Sequence, residues 1–437
     1  MFETIVALAT PASKSALAII RLSGDDCFQI VSKVFTKDLN NEKKRSIHFG
    51  YIHNNQKKID QVVLLTYVAP HSFTGENSVE IISHGSMIIV NEIIKVLLEK
   101  GCRMATNGEF SSRAYLHGKI DLIQAEAIND MINAETQESK DLMLYSLSGQ
   151  TSNMFRPIKE KLGELLSKIE VNIDYPEYED IEQISRSEIL KTCTEIINET
   201  QYLVDDSEKN KILHQGVKVA IVGQPNVGKS SLLNALIHED KAIVTEIAGT
   251  TRDIVEGDFS LDGVPIHLFD TAGMHESNNK IEQIGIIKAK KTIDNADLIL
   301  YVIDNRGIDQ TFLTNLKDKK YLIVQNKNDI YKFNNSGYIS ISAKNNEISQ
   351  LLTAIKNILK IDEISIKPSF TNLRQLGLLK NIIENVKVAL TDAKNNEPID
   401  LISASLIIAY NSLLELIGEC NKNDLTDEIF SRFCVGK

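Results

Sequence analysis

Apolar positions recur along this chain with two different periods, and the change from one to the other divides it into segments. In residues 1–118 the runs Thr4–Ala9, Ala16–Leu22 and Gln61–Tyr67 are short, apolar and rich in β-branched residues, which predicts strands. Between Ser86 and Lys100 the apolar residues fall three and four apart, which predicts an amphipathic helix closed by Gly101. This first segment reads as an α+β domain. Residues 119–215 keep the helical period, through Ala125–Ile132 and Ile158–Ile173, until the acidic stretch Asp174–Asp180 interrupts it as a solvated loop. Residues 216–361 alternate buried strands with helices, the pattern of a parallel doubly wound sheet. Residues 362–437 return to helices over Asn372–Ala393 and Asp400–Glu419, with Asn423–Thr426 capping a short last one. Helical segments on both sides of the α/β segment predict one split helical domain whose halves bury their apolar stripes together, two separate bundles being the alternative.

The 437 residues have room for two to four domains. A formal charge of −11 argues against a chain that grips nucleic acid by itself, because such binding draws its affinity from clustered Lys and Arg, so a nucleic-acid role calls for a partner or a local patch. Cys27, Cys102, Cys193, Cys420 and Cys434 lack metal-ligand spacing and suggest a reducing compartment. The N-terminus has no basic stretch followed by an apolar core, and no apolar run approaches the roughly 20 residues that cross a bilayer, so the expectation is a cytoplasmic protein with no membrane role. Arg21 at the end of an apolar strand, Glu80 within Ser78–Ile82 and Lys119 within His117–Leu122 stand out as charges in apolar surroundings. Taken singly, each reads as structural or solvated.

Candidate chemistry is concentrated in the α/β segment. Gly223–Ser230, Gly-Gln-Pro-Asn-Val-Gly-Lys-Ser, stands between a predicted strand, Val217–Val222, and a helix beginning at Ser231–Leu236. Backbone N–H groups of such a loop close around phosphates, Lys229 adds a full positive charge, and the Ser230 hydroxyl reaches Mg2+. Asp270-Thr271-Ala272-Gly273 follows the strand Ile266–Phe269, where its carboxylate can support the magnesium shell and the Gly273 N–H can meet a γ-phosphate. Thr251, in Gly249–Asp253, offers a second magnesium hydroxyl. Asn326-Lys327-Asn328-Asp329 follows the strand Tyr321–Val324; a carboxylate at Asp329 accepts from both N1 and the exocyclic amine of guanine, a donor pair adenine lacks. Ser342-Ala343-Lys344 completes the base pocket. Four motifs in this order predict GTP as the substrate. Met274 stands after Gly273, where Ras-like enzymes carry a water-orienting glutamine, and a thioether cannot take that part.

These motifs, with Thr10-Pro11, Arg21-Leu22-Ser23-Gly24, Ser72-Phe73-Thr74-Gly75-Glu76, Gly108-Glu109-Phe110-Ser111 and the terminal Phe433-Cys434-Val435-Gly436-Lys437, run the length of the chain. Together they resemble the MnmE (TrmE) family of tRNA modification GTPases. Departures are Val435, where isoleucine is usual, and Asn107, where proline is common before Gly108. The resemblance implies an N-terminal folate-binding and dimerisation domain over residues 1–118, a helical domain over 119–215 and 362–437, and an inserted Ras-like P-loop G domain over 216–361. It implies a K+-dependent GTP hydrolase that forms a homodimer and, with the flavoprotein MnmG, a heterotetramer. That complex would reach tRNA and place a carboxymethylaminomethyl or aminomethyl group on carbon 5 of the wobble uridine.

By the same motif match, GTP would be bound by Asn226, Val227, Gly228, Lys229, Ser230 and Ser231, and by the loop Thr245, Glu246, Ile247, Ala248, Gly249, Thr250 and Thr251. Asp270, Thr271, Ala272, Gly273, Asn326, Lys327, Asp329, Ser342, Ala343 and Lys344 would complete that site. Asn226, Thr245, Ile247 and Thr250 would hold K+, and Glu282 would orient the attacking water. Arg21, Glu80, Lys119 and Lys437 would contact a tetrahydrofolate derivative in its 5-formyl or methylene form, Arg and Lys answering its carboxylates and Glu80 its pterin N–H groups. Cys434 reads either as a residue of one-carbon chemistry or as a packed, inert thiol. Two other function classes stay open: a GTP-switched ribosome assembly factor, and a folate enzyme in which GTP is structural.

Overall fold

The computed structural model describes residues 3–174, 185–239, 257–270, 293–308, 310–314, 316, 319–331, 337–364, 366–419, 429–431, 433 and 436. In chain order the elements are β1 (Ile5–Leu8), β2 (Leu17–Ser23), α1 (Cys27–Ser32), β3 (Ser46–Asn54), β4 (Lys57–Tyr67), β5 (Ser78–His84), α2 (Met87–Glu99), β6 (Arg103–Met104) and α3 (Glu109–Leu116). The helices α4 (Leu122–Ile132), α5 (Gln137–Leu147), α6 (Gln150–Asn153), α7 (Arg156–Asp174) and α8 (Arg186–Gln215) come next. Then β7 (Val217–Gly223), α9 (Lys229–Glu239), β8 (Gly257–Leu261), β9 (Val264–Asp270), β10 (Leu298–Ile303), α10 (Gln310–Thr314), β11 (Tyr321–Gln325), β12 (Ile339–Ser340) and α11 (Ser349–Leu359) alternate. Last are α12 (Leu373–Lys394) and α13 (Ile399–Ile417). The chain divides into two compact units, one of Met1–Ile132, Ser146–Ile196 and Asn381–Lys437, the other of Asn133–Tyr145 and Ile197–Lys380.

The first unit holds a six-stranded sheet in the order β3-β4-β5-β2-β1-β6, antiparallel except where β6 runs parallel to β1. Alternation along each strand sends Ile20, Leu22, Val79, Ile81, Val62 and Leu64 into one core with Phe28 and Val31 of α1 and Val90, Ile93 and Leu97 of α2. On the opposite face, Phe110 of α3 covers Ile5 and Ala7, whereas Ile47 and Phe49 of the edge strand β3 are 72% and 71% exposed. That half-open face carries the charged residues described below.

In the same unit α13 packs against α7 and α4, so helices that precede and follow the α/β segment share one core, as a split helical domain requires. One sequence expectation is corrected here. Helix α13, with 19 residues, is long and apolar enough to cross a membrane by length and composition. Its Ile402, Leu406, Ala409, Leu413 and Leu416 form a buried stripe at three- and four-residue spacing, which is how the core helix of a helical domain comes to be so apolar.

The second unit contains a six-stranded sheet in the order β12-β11-β10-β7-β9-β8, parallel except at the β8–β9 hairpin. Every residue of β10 is buried, because helices cover a parallel sheet on both faces. This is the doubly wound sheet the alternation predicts, and the C-terminal ends of β7, β10 and β11 point into one loop cluster.

Candidate functional site

In the second unit the chain leaves β7 at Gly223, turns through residues 224–228 and enters α9 at Lys229. Gly228 sits at φ +95°, where a Cβ would lie 2.3 Å from Asn326 Nδ2, so glycine alone permits this approach. Lys229 is 5% exposed, and its ammonium donates to the Gly223 and Gln224 carbonyls at 3.0 Å each, which suspends the charge inside the loop. Ser230 occupies the first turn of α9, with its hydroxyl at the positive end of the helix dipole.

The Asn326–Asp329 segment is joined to this loop by side chains. Asn326, 3% exposed, donates Nδ2 to the Val227 carbonyl at 2.9 Å and accepts from the Ala343 N–H at 3.1 Å, tying phosphate loop, base segment and third base motif together. The Ser342 hydroxyl donates to Asp329 Oδ1 at 2.9 Å and fixes the carboxylate. Lys327, at φ +70°, donates to the Asn226 carbonyl at 2.7 Å and to Asp304 Oδ2 at 3.0 Å.

Asp304 and Arg306 were not legible as site residues. Asp304, 3% exposed, follows β10; it accepts from Arg306 Nε at 2.9 Å, while Arg306 Nη2 donates to the Pro225 carbonyl at 2.8 Å. Two cations anchored on one carboxylate thus clamp consecutive carbonyls beside Asn226, itself held at φ +64°. The hydrogen bond from Arg306 holds the Asp304 carboxyl far below the ordinary carboxylate range, against the opposing effect of burial, and Lys327 adds to the lowering. The signal available in the sequence was position: the residue after an all-apolar strand at the C-terminal edge of a parallel sheet.

In the first unit the β2–β5 register places Arg21 opposite Glu80. Arg21 Nε and Nη2 donate to Glu80 Oε1 at 2.9 and 2.8 Å, and the Tyr67 hydroxyl donates to Oε2 at 3.3 Å. Burial pushes the Tyr67 phenol up, with the neighbouring Glu80 charge adding to it, so the group stays a donor. Arg21 Nη1 donates to the Gly436 carbonyl at 3.2 Å, which brings the end of the chain to this pair. Phe430 and Phe433 bring it there by packing on Tyr115, Leu122 and Ala125. Gly108, at φ +65°, lets the tail pass, since a Cβ there would lie 2.5 Å from the Phe430 carbonyl oxygen.

Lys119 does not join Arg21 and Glu80 through any contact among the described residues. Its ammonium donates to the Pro70 carbonyl at 2.7 Å, and it lines a separate cleft of about 1400 Å³ with Tyr115, Arg156 and Tyr410. Thr245, Glu246, Ile247, Ala248, Gly249, Thr250, Thr251, Thr271, Ala272, Gly273, Glu282, Cys434 and Lys437 lie outside the described residues, as do most of the acidic stretch 174–180 and residues 423–426; Asp270 is described by its backbone alone. Cys27, Cys102 and Cys193 are free and buried, and burial pushes the Cys102 and Cys193 thiols to about 12, which leaves them inert.

Fold and site together define a P-loop GTPase of the Ras-like class, joined in one chain to an α+β unit and a split helical domain. The GTP-binding protein TrmE N-terminus matches residues 4–119, and the MnmE helical domain matches residues 122–434. The chain belongs to the MnmE family of tRNA modification GTPases. It is 44% identical over 449 aligned positions to the tRNA modification GTPase MnmE of Mycoplasmoides gallisepticum, covering 100% of this chain and 98% of that one. To the protein of the same name from Mycoplasma mycoides it is 41% identical over 452 positions, covering 100% and 99%. An Aquifex aeolicus Era variant bound to GDP·AlF4− overlaps 39% of this chain and 66% of its own at 27% identity, with a TM-score of 0.27.

Proposed function

We propose that this chain hydrolyses GTP in a K+-dependent cycle that, with the flavoprotein MnmG, modifies carbon 5 of the wobble uridine of certain tRNAs, the one-carbon unit coming from a tetrahydrofolate. The observation that carries this reading is the Arg21–Glu80 pair on a half-open sheet face, with Gly436 of the chain's end against it, in a chain that also holds a guanine-type P-loop site. Glu80 suits a pterin: its carboxylate is fixed by donors from Arg21 and Tyr67, and half-buried Leu65 and Ile82 flank it on the same face. A bound tetrahydrofolate would supply the one-carbon unit. Arg21 spends three of its five N–H donors on Glu80 and Gly436, so it orients Glu80 and the tail and keeps donors for a folate carboxylate.

In the G domain, Lys229 neutralises phosphate charge, Asp329 selects guanine, and Asn326 keeps the two subsites in register. Mg2+, held by Ser230 and Thr251, would neutralise charge on the β- and γ-phosphates. Asn226, whose backbone is clamped by Lys327, would present its side-chain oxygen to K+ together with Thr245, Ile247 and Thr250. Glu282 would orient the attacking water in place of the glutamine that Met274 replaces.

Exchanging KCl for NaCl at constant ionic strength should lower GTP turnover about a hundredfold, the effect of losing one preorganised electrostatic contact. Equal turnover in the two salts would remove the cation site. The function itself is tested by nucleoside analysis: tRNA from a strain lacking this chain should carry wobble uridine unmodified at carbon 5, and the chain should restore it. Normal modification in its absence would overturn the reading in favour of an assembly GTPase.

A further inference from the structure

The open face of the N-terminal sheet continues past Glu80 toward the edge strand. Tyr67, whose hydroxyl reaches Glu80 Oε2, lies under the Arg45 guanidinium, which stands 5.0 Å from the ring centroid. The register agrees: Ser46 pairs with Thr66, so Arg45, just before β3, falls opposite Tyr67. Arg21, Glu80, Tyr67 and Arg45 therefore form a stepped row across β2, β5, β4 and the start of β3, three strand spacings or about 14 Å in width, with Tyr67, opposite Ser78, and Arg45 displaced along the strands from Glu80.

Arg45 closes the run Lys43-Lys44-Arg45, all exposed, and no ion pair holds these three among the described residues. Their acidic neighbour Glu42 is engaged elsewhere, by His48 at 3.0 Å, Lys37 at 4.0 Å and the Ser46 hydroxyl at 2.7 Å. A basic run beside an edge strand is ordinarily a solvated guard against strand pairing. The seat of Arg45 on Tyr67 distinguishes this one, because it couples the run to the carboxylate assigned to the pterin.

We propose that Lys43, Lys44 and Arg45 bind the γ-glutamyl tail of a folate whose pterin is read at Glu80, so that the chain prefers polyglutamylated to monoglutamylated folate. The inference rests on the folate reading above. Each γ-linked glutamate adds one carboxylate. Single exposed ion pairs are weak, but a tethered tail meets the three cations at high effective concentration. The pairing is solvent-exposed, so salt screens it.

Calorimetry on the full-length protein tests this with 5-formyltetrahydrofolate as monoglutamate and as pentaglutamate. The wild type should bind the pentaglutamate about tenfold more tightly at low ionic strength, the advantage shrinking to about twofold in 0.5 M KCl. Lys43→Ser/Lys44→Ser, confined to exposed side chains, should erase most of the advantage while keeping monoglutamate affinity; Arg45→Ala should reduce it further. Arg21→Ala should lose both forms. Equal affinity of the wild type for the two forms, or a preference that survives the double substitution, would overturn the proposal with the folate site intact. Binding of neither form by the wild type would overturn the folate reading, and the tail site with it.

Discussion

Asp329→Asn should lower GTP affinity by roughly two to four orders of magnitude and confer binding of xanthosine triphosphate. Guanine offers two adjacent donors to the carboxylate, and hydrogen bonds to a charged group contribute about 1.5–3 kcal/mol each, so losing both costs about 3–6 kcal/mol. The amide also turns a donor toward a donor, whereas the xanthine edge supplies the acceptor it needs. The substitution is nearly isosteric, and the pocket around it does not depend on the charge: Asn326 still bridges Val227 and Ala343, and the Ser342 hydroxyl still finds an oxygen at position 329. Equilibrium titration with fluorescent guanine and xanthine nucleotides reads both effects, and an unchanged guanine affinity would refute Asp329 as the base reader.

Arg113→Met should destabilise the first unit by about 3–5 kcal/mol, the usual cost of leaving one member of a buried ion pair alone. Arg113 is 2% exposed; Nη1 donates to Glu76 Oε2 at 3.0 Å, and Nη2 donates to Glu109 Oε1 and the Glu3 carbonyl at 2.8 Å each. Without it, Glu76, 7% exposed, keeps the Ser23 hydroxyl at 2.6 Å and no cation among the described residues. Measured against a typical total of about 5–15 kcal/mol, that loss would move a urea midpoint far toward native conditions. Adding Glu76→Gln should recover part of it, since an amide costs less to bury than an unpaired carboxylate. A single variant with the wild-type midpoint would show that the network contributes nothing.

The same network sets an acid limit. Burial pushes the Glu109 carboxyl up, but Arg103, the Thr106 N–H and Arg113 pull it down further, to about 2. A folded pKa below the ordinary value means its contribution is fully present above the unfolded pKa and is lost as pH falls through the folded one. Stability of this unit should therefore decline between about pH 4.5 and pH 2. The consequence reaches Arg21, because Phe110 of the same helix α3 lies 5.8 Å under its guanidinium.

What the sequence determined by itself was whatever short spacing encodes. Period two and period 3.6 gave the strands β1, β2, β4, β7, β9 and β11 and the long helices α7, α12 and α13, since each face must choose between core and water within a few residues; β3, β5, β6, β8 and β10 were not read from the sequence. The phosphate loop was legible for the same reason: strand, turn and helix start are contiguous, so residues 217–236 carry the whole geometry. What only tertiary structure decided was which charge meets which. Arg21 and Glu80 are 59 residues apart and meet because β2 and β5 share a register; Arg113 finds Glu76, and Arg306 finds Pro225, across crossovers that no periodicity specifies. Lys119, which the resemblance alone groups with Arg21, donates to the Pro70 carbonyl, another contact that no local spacing specifies. Local pattern fixes the direction of a side chain relative to its own strand or helix, whereas its partner depends on strand order and on the path of the connecting chain, and these are settled by the burial of the whole core.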